Sequence, residues 1–343
     1  MRVGMMRNGR KPGIVARLTS YVCDHYGMDF IFFSPEDINF EEKTINALVY
    51  INGDWKEQQT GFPLVIDNEI LRDQNFMMTL DRECYLTNHI LGSKQIVFEK
   101  LKNAGGFEDV LIPYEMIASV EDIYKFIDLH GCTLLKPIVS NQGRNIYTVD
   151  KVEGKLKVDT DGTSEYYSEE DFLTFYDKTF KRRNYIAQPF IDSKTKQGDP
   201  FDIRLHVRKD IHGNWKNVAV YPRIGIGKGI TSNISQGGGV SPLNAFLQAK
   251  FGDEWSNVKK TIMDTSRWFP HKFEDLYDYD FDAFGIDFGI DSNGKMWLFE
   301  VNTFPGSRYF FAEDAELRAQ YYKYCAEKYG INKESYFKTD WLF

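Results

Sequence analysis

The chain has 343 residues, 42% hydrophobic, 27% charged and 15% aromatic, a composition that excludes a disordered chain and a length that predicts two or three lobes rather than one core. Basic residues number 42 against 50 acidic, a net charge of −8, which excludes a general nucleic-acid binder because such proteins carry a basic stripe. Cys23, Cys84, Cys132 and Cys325 stand far apart without CxxC or zinc spacing, so scattered reduced thiols in a cytoplasmic protein are expected.

The start, "MRVGMMRNGRKPG", lacks an apolar segment, and no run of 18 apolar residues follows; neither a signal peptide nor a membrane span is expected. Residues 1–85 read as a small α/β unit. "ARLTSYVCDHYG" has helical spacing, and "MDFIFFSP", "INALVYING" and "FPLVIDNE" are strands. Helices are predicted over "GSKQIVFEKLKNAG", stopped by Gly105-Gly106, and over "SVEDIYKFIDLHG", capped by Ser119 and ended by Gly131. "CTLLKPIVSNQGRNIYTVDK" reads as strand, turn, strand, and "KLKVDTDGTSEYYS" as a hairpin with an Asp-Gly turn. "SEEDFLTFYDKTF" starts with a capping box. From Tyr185 the pattern is strand-rich, interrupted by one long helix over "NAFLQAKFGDEWSNVKKTIMDTSRWF" and closed by a helix over "DAELRAQYYKYCAEKYG". The fold class is α+β.

"DAFGIDFGIDSNGKMWLFEVN" poses a chemical problem. With Asn293-Gly294 as a two-residue loop, Ser292 faces Lys295 and Asp287 lands opposite Glu300. Asn302 shares the face of Glu300. Opposed like charges repel, and nothing basic in these two strands relieves them. A divalent cation does, and three oxygen donors without His or Cys suit Mg²⁺ or Mn²⁺. Magnesium completes its shell with water and phosphate oxygens, so the patch predicts a nucleotide phosphate beside the metal. A solvated acidic hairpin, or neutralisation by a distant arginine, is the alternative.

Lys94 opens a helix, and Lys136 ends an apolar strand before a polar turn able to lay N–H groups over phosphates. A solvated lysine and a plain surface hairpin are the alternatives. Asp202, Arg204, His206 and Arg208 alternate with Phe201, Ile203, Leu205 and Val207. Their face is either a floor for polyphosphate and an acyl group or an exposed salt-bridged surface. The following glycine-dense loop carries Arg223, Lys228 and Asn233, suited to closing over a ligand. Ser307 and Arg308 follow the acidic strand, where Arg308 is placed either to hold a substrate carboxylate or as a surface arginine.

In this order, the two lysines, "QPF", "DIR", the Asn233 glycine loop and Asp…Glu-x-Asn resemble the ATP-grasp superfamily over residues 86–310. The series "DIRLHV…SNISQGGG…GIDFGID…FEVNTFPG" is similar to the ribosomal-protein glutamate ligase branch. The N-terminal "FFSPEDINF" and "GDW" look like the spore-coat-associated YheC/YheD family. The resemblance implies a small α/β domain, residues 1–85, ahead of two α+β lobes, 86–184 and 185–343, that grip ATP. It implies a carboxylate–amine ligase that forms an amide through an acylphosphate and releases ADP and phosphate. The carboxylate and amine belong to an amino acid, peptide or protein. ATP with Mg²⁺, or Mn²⁺, two ions in all, is the implied cofactor set. Neither nucleic acid nor membrane is expected as a partner, and the oligomeric state, monomer or homo-oligomer, is left open. The alternatives are a nucleotide-binding spore-coat or assembly protein without ligase activity, and phosphoryl transfer to a non-carboxylate acceptor.

By the same resemblance Lys94 and Lys136 hold phosphates, and Ser140, Gln142, Gly143 and Arg144 form the loop over them. Gln188, Phe190 and Ile191 bind adenine, the last two through backbone groups. Asp202 meets the ribose or the substrate side. Arg204 and Asn233 lie near the γ-phosphate and acceptor, and Asp287, Glu300 and Asn302 hold metal. Two departures stand out. Thr231 replaces an arginine of the ligase branch, for which Lys228 or Arg223 substitutes, and Gly285 stands where D-alanine–D-alanine ligase-like members have an arginine.

Overall fold

The structure is a computed structural model that describes residues 1–138, 145–160, 163–181, 184–225 and 238–329. The first sheet is built from β1 (Arg2–Met6), β2 (Asp29–Phe33), β3 (Ile38–Asn39), β4 (Thr44–Ile51), β5 (Asp54–Gly61), β6 (Val65–Asn68) and β7 (Tyr85–Leu86), with helices α1 (Ile14–His25) and α2 (Gln74–Glu83). Its order is β3-β4-β2-β1-β6-β7, with β5 paired to β4. β1 runs parallel to both β2 and β6. The expected helix and three strands are all present; β1, β3, β5, β7 and α2 are additional. β5, "DWKEQQTG", is polar and mostly exposed, so it carries no apolar alternation. It forms because Asn52-Gly53, both at positive φ (53° and 87°), folds it back onto β4 with Ile51 opposite Asp54.

Next come α3 (Lys94–Ala104), β8 (Glu115–Ile117), α4 (Val120–His130), β9 (Thr133–Pro137), β10 (Tyr147–Val152), β11 (Lys155–Thr160), β12 (Thr163–Tyr167), α5 (Glu169–Thr179) and β13 (Tyr185–Pro189). The strands form an antiparallel sheet in the order β12-β11-β10-β9-β13-β8. The predicted caps are in place: Ser119 and Asp122 form a reciprocal capping box, and Gly131, at φ 74°, ends α4. Asp161-Gly162, the predicted turn, lies outside the described residues, but β11 and β12 on either side of it pair as expected.

The third sheet holds β14 (Phe201–Lys209), β15 (Trp215–Ile224), β16 (Gly239–Val240), β17 (Ala283–Ile290) and β18 (Met296–Asn302), with α6 (Leu243–Phe251), α7 (Trp255–Glu274) and α8 (Phe311–Tyr329). Its order is β16-β15-β14-β17-β18. The predicted long helix is two helices, because Gly252 takes φ 57° and ends α6 before a 3₁₀ turn over Gly252–Glu254. Phe201, Ile203, Leu205 and Val207 point into one core with Ile262 and Phe269 of α7 and Val97 and Leu101 of α3. On the opposite face Asp202, Arg204, His206 and Arg208 are all buried, not exposed, in part because α8 packs over β14 and its Asp314 accepts a 2.9 Å bond from Arg208 Nε.

Candidate functional site

The β17–β18 hairpin reaches the expected pairing by an unexpected route. Its loop holds three residues, not two: the Asp291 N–H donates to the Lys295 carbonyl (3.1 Å), and Gly294, at φ 79°, donates to the Asp291 carbonyl (3.0 Å). Ser292 therefore does not face Lys295. This shifts the ladder by one residue through Phe288↔Leu298. A bulge at Phe299 then shifts it back, so that Asp287 pairs with Glu300 and Gly285 with Asn302. The two offsets cancel.

The bulge also explains how a carboxylate sits in an apolar run. Strict alternation would send Glu300 into the core after Met296 and Leu298. One extra residue reverses the phase, so Val301 enters that core and Glu300 and Asn302 line a cleft. Gly289 makes room for the bulge: a Cβ there would lie 2.1 Å from the Phe299 ring. Gly289→Ala is expected to cost about 1–3 kcal/mol through overpacking, read as a lower denaturation midpoint. Adding Phe299→Ala should recover most of that loss; strictly additive effects in the double variant would contradict this packing.

Neighbouring strands relieve the acids. Arg204 on β14 lies directly opposite Asp287 and grips it with two bonds, Nε to Oδ1 and Nη2 to Oδ2 (2.9 Å). Arg223 on β15 pairs with Asp202 through two 2.7 Å bonds and reaches Asp287 Oδ2 at 2.8 Å. Glu300 takes a 3.3 Å contact from Lys94. Arg204, expected near the γ-phosphate and acceptor, Arg223, expected to close over a ligand or to stand in for the missing arginine, and Asp202, expected at the ribose or the substrate side, are thus tied into one network with Asp287. Gly285 also has a reason: a Cβ there would lie 2.7 Å from Arg204 Nη1 and 3.0 Å from Pro305 Cβ. The guanidinium of Arg204 fills the space beside Gly285.

These contacts bear on a metal. A carboxylate offers about four lone-pair directions. Arg204 and Arg223 use three of those on Asp287, leaving one on Oδ1. Among the described residues no three His, Cys, Asp or Glu side chains cluster to bind a metal by themselves. The donor set of one Asp287 oxygen, Glu300 and the Asn302 amide fits Mg²⁺, which takes few protein ligands and completes its shell with phosphate and water oxygens.

The cleft beside these groups has a volume of about 450 Å³ and is lined by Lys94, Phe98, Ile138, Leu298, Glu300 and Asn302, among others. Ser93 caps α3 and so fixes Lys94 at its first turn. Lys136 on β9 stands 5.1 Å from the centre of the Phe98 ring. Burial, and then the charge of Lys94, push its ammonium down to about 7, against the opposing pull of Glu300. Gln188 lies on the same face of the sheet as Lys136, since Lys136 pairs with Ile186. It is buried, and among the described residues its amide nitrogen has no hydrogen-bond partner, a donor that calls for an acceptor. In the strand exit, the Phe190 N–H is taken by the Cys132 carbonyl (2.8 Å) and the Ile191 carbonyl by the Ser193 N–H (2.8 Å). Among the described residues that leaves the Phe190 carbonyl and the Ile191 N–H for a ligand, an acceptor and a donor side by side.

Ser140, Gln142, Gly143, Arg144, Lys228, Thr231 and Asn233 lie outside the described residues. Ser307 is buried and donates to Asp314 Oδ2 (2.8 Å), whereas Arg308 is exposed. A buried ionic chain escaped the sequence reading altogether: Arg7–Asp67–Arg318–Asp314–Arg208–Asp282. Its sequence signals are the alternation that sets Arg208 on the charged face of β14 and the i,i+4 spacing of Asp314 and Arg318. No helix among the described residues is long and apolar enough to cross a membrane.

Residues 83–329 match the family model described as YheC/D-like ATP-grasp. The chain is 26% identical over 294 residues to the endospore coat-associated protein YheD of Bacillus subtilis (strain 168); the match covers 81% of this chain and 64% of YheD. Among solved structures it is similar to a Chryseobacterium gregarium RiPP-associated ATP-grasp ligase in complex with ADP and a leader and core peptide, at TM-score 0.52 and 13% identity, covering 95% of this chain and 96% of that one. It is also similar to the ATP-grasp ligase PsnB complexed with a phosphomimetic variant of its minimal precursor, Mg and ADP, at TM-score 0.52 and 11% identity, covering 93% and 97%. Likeness at this level of identity carries the fold.

Proposed function

The chain belongs to the YheC/D-like ATP-grasp family, and from that premise we propose that it is an ATP-dependent carboxylate–amine ligase, its lobes at residues 86–184 and 185–343 gripping the nucleotide. The observation that carries this reading is the convergence of Asp287, Glu300 and Asn302 with Lys94 and Lys136 on and around one cleft. A carboxylate is a poor acyl donor because its oxygen leaves badly. Its attack on the γ-phosphorus of ATP expels ADP and makes an acylphosphate. An amine then attacks the acyl carbon, loses a proton and expels phosphate, leaving an amide. Asp287, Glu300 and Asn302 would hold Mg²⁺, which would supply charge neutralisation on the phosphate oxygens. Lys94, which lines the cleft, and Lys136 beside it add positive charge. Gln188, the Phe190 carbonyl and the Ile191 N–H supply donors and an acceptor for the base. Arg204 and Arg223 hold Asp287 in place.

The direct test is ADP release with Mg²⁺ across paired carboxylates and amines, with product mass as the readout. A condensed product lacking one water supports the ligase, and a product gaining a phosphoryl group refutes it. The likeness to YheD favours a second reading, a nucleotide-binding coat component; ADP binding without ADP formation across the whole screen selects it.

Lys136 gives this reading a pH signature. The free folded protein loses this proton at about 7, against 10.5 for an unperturbed lysine. Nucleotide phosphate favours the charged ammonium, so binding above pH 7 takes up a proton. ADP affinity is expected to fall by up to about tenfold per pH unit between 7 and 9, and calorimetry in buffers of different ionisation enthalpy should register the uptake. Lys136→Met should flatten the profile. For stability the sign is opposite: between 7 and 10.5 the unfolded chain binds the extra proton, so this group favours folding as pH rises.

A further inference from the structure

The segment that carries the metal donors borders two cavities. Residues 298–303 line the cleft described above, and the next four, Phe304 to Ser307, line a second cavity of about 740 Å³. Its far wall is the loop from β1 into α1. The lining carries four cations, Arg7, Arg10, Lys11 and Arg318, and among the described residues no acid, in a chain whose net charge is −8. The partners of these cations stand outside the cavity: Asp67 for Arg7, Asp67 and Asp314 for Arg318, Asp37 and Glu57 for Arg10. Lys11 makes no ion pair among the described residues. A concave wall of one sign focuses potential and raises the local concentration of opposite charge.

Two details sharpen the chemistry. The α1 helix begins at this wall without a side-chain cap at Gly13 and without an acid in its first turn, so its amide groups add to the positive potential. The rest of the lining is apolar, with Phe32, Phe304 and Phe311, and the Arg7 guanidinium stands 4.9 Å over the Phe304 ring. A cationic wall facing aromatic rings suits a ligand with an anionic head on an apolar body. Pro305 ties the cavity to the reaction site, since it lines the one and packs beside Gly285, against which Arg204 holds Asp287.

We propose that this cavity seats the organic substrate, and that the substrate class is an anionic head, carboxylate or phosphate, on an apolar or aromatic body, such as an apolar amino acid or the end of a peptide. Its role as substrate site rests on the ligase reading; its binding chemistry does not.

Calorimetry on the full chain tests this with N-acetyl-L-phenylalanine, phenyl phosphate and the neutral N-acetyl-L-phenylalaninamide, alongside ADP with Mg²⁺. At least one anion should bind, the amide should bind about tenfold more weakly or worse, and the tighter anion identifies the head group. Lys11→Glu should weaken the anion about tenfold and Phe304→Ala severalfold, with ADP affinity held within about twofold. Both side chains are exposed, so both variants should fold. No anion binding up to ~10 mM, equal binding of the amide, or indifference to Lys11→Glu would each overturn the proposal. Anion binding in a protein that never forms ADP would sink the ligase and leave the cavity. ADP formation with anion binding blind to Lys11 and Phe304 would do the reverse.

Discussion

Glu300→Gln is expected to cut ADP formation by on the order of 10³-fold while leaving the denaturation midpoint almost unchanged. Its environment makes this separation possible. The Glu300 side chain is 39% exposed and has one lysine contact at 3.3 Å, a kind of pair worth only about 0–1 kcal/mol. Glutamine keeps its volume and one acceptor oxygen but removes the charge that opposes phosphate repulsion through the metal. Asp287 is the poorer probe. Its removal strands Arg204 and Arg223, each largely buried, so lost activity there would not distinguish metal binding from local collapse. Turnover close to wild type in Glu300→Gln, measured as ADP release under saturating Mg²⁺, would refute the metal assignment. An unfolded variant would refute the claim that Glu300 is dispensable for the fold.

How far the sequence reveals this site depends on how locally each part is determined. The starts of α3, α4 and α5 follow from Ser93, Ser119 and Ser168, and the ends of α3 and α4 from Gly105 and Gly131, because capping is satisfied within a few residues. The pairing of Asp287 with Glu300 is also legible, though the Asn-Gly signal places the loop one residue short. A two-residue loop with both residues at positive φ forms at Asn52-Gly53. At Asn293-Gly294 the Asp291 carboxylate instead accepts from the Asn293 and Lys295 N–H groups and stabilises a wider loop. The bulge that restores the register depends on Gly289 yielding space to Phe299 across the hairpin, a tertiary condition that periodicity does not encode. The same limit applies to the charged face of β14. Alternation places Asp202, Arg204, His206 and Arg208 together, but whether that face is wet or buried is decided by α8, which begins about a hundred residues later. The partner acids Asp67, Asp282 and Asp314 come from three separate segments.

That buried face carries the largest expected stability effect. Asp314→Ala should destabilise the fold by about 3–5 kcal/mol, a fall in the thermal midpoint on the order of 10 °C. Asp314 is fully buried and accepts from Arg208 Nε (2.9 Å), Arg318 Nη2 (3.0 Å) and Ser307 Oγ (2.8 Å). Burial by itself would raise its carboxyl, but Arg208 and Arg318 outweigh that and hold it well below 3.8. The sign follows: its contribution is present above the unfolded value and is lost only as pH falls through the lower folded one. Alanine would leave two buried guanidinium groups short of a counter-charge, and Arg318 also ties α8 to Asp67 in the first sheet. Glu316→Ala, exposed on the same helix, should change stability by less than about 0.5 kcal/mol. A wild-type midpoint in Asp314→Ala would mean that the arginines find other partners and that α8 is held by its apolar contacts alone. Asp314→Asn, which keeps part of the bonding, separates the two roles of this residue. Ser307 and Arg318, both anchored by Asp314, line the second cavity but not the cleft beside Glu300. The folded variant should therefore bind N-acetyl-L-phenylalanine more weakly while binding ADP as before, and equal losses for both ligands would show that the network steadies the whole sheet rather than that wall.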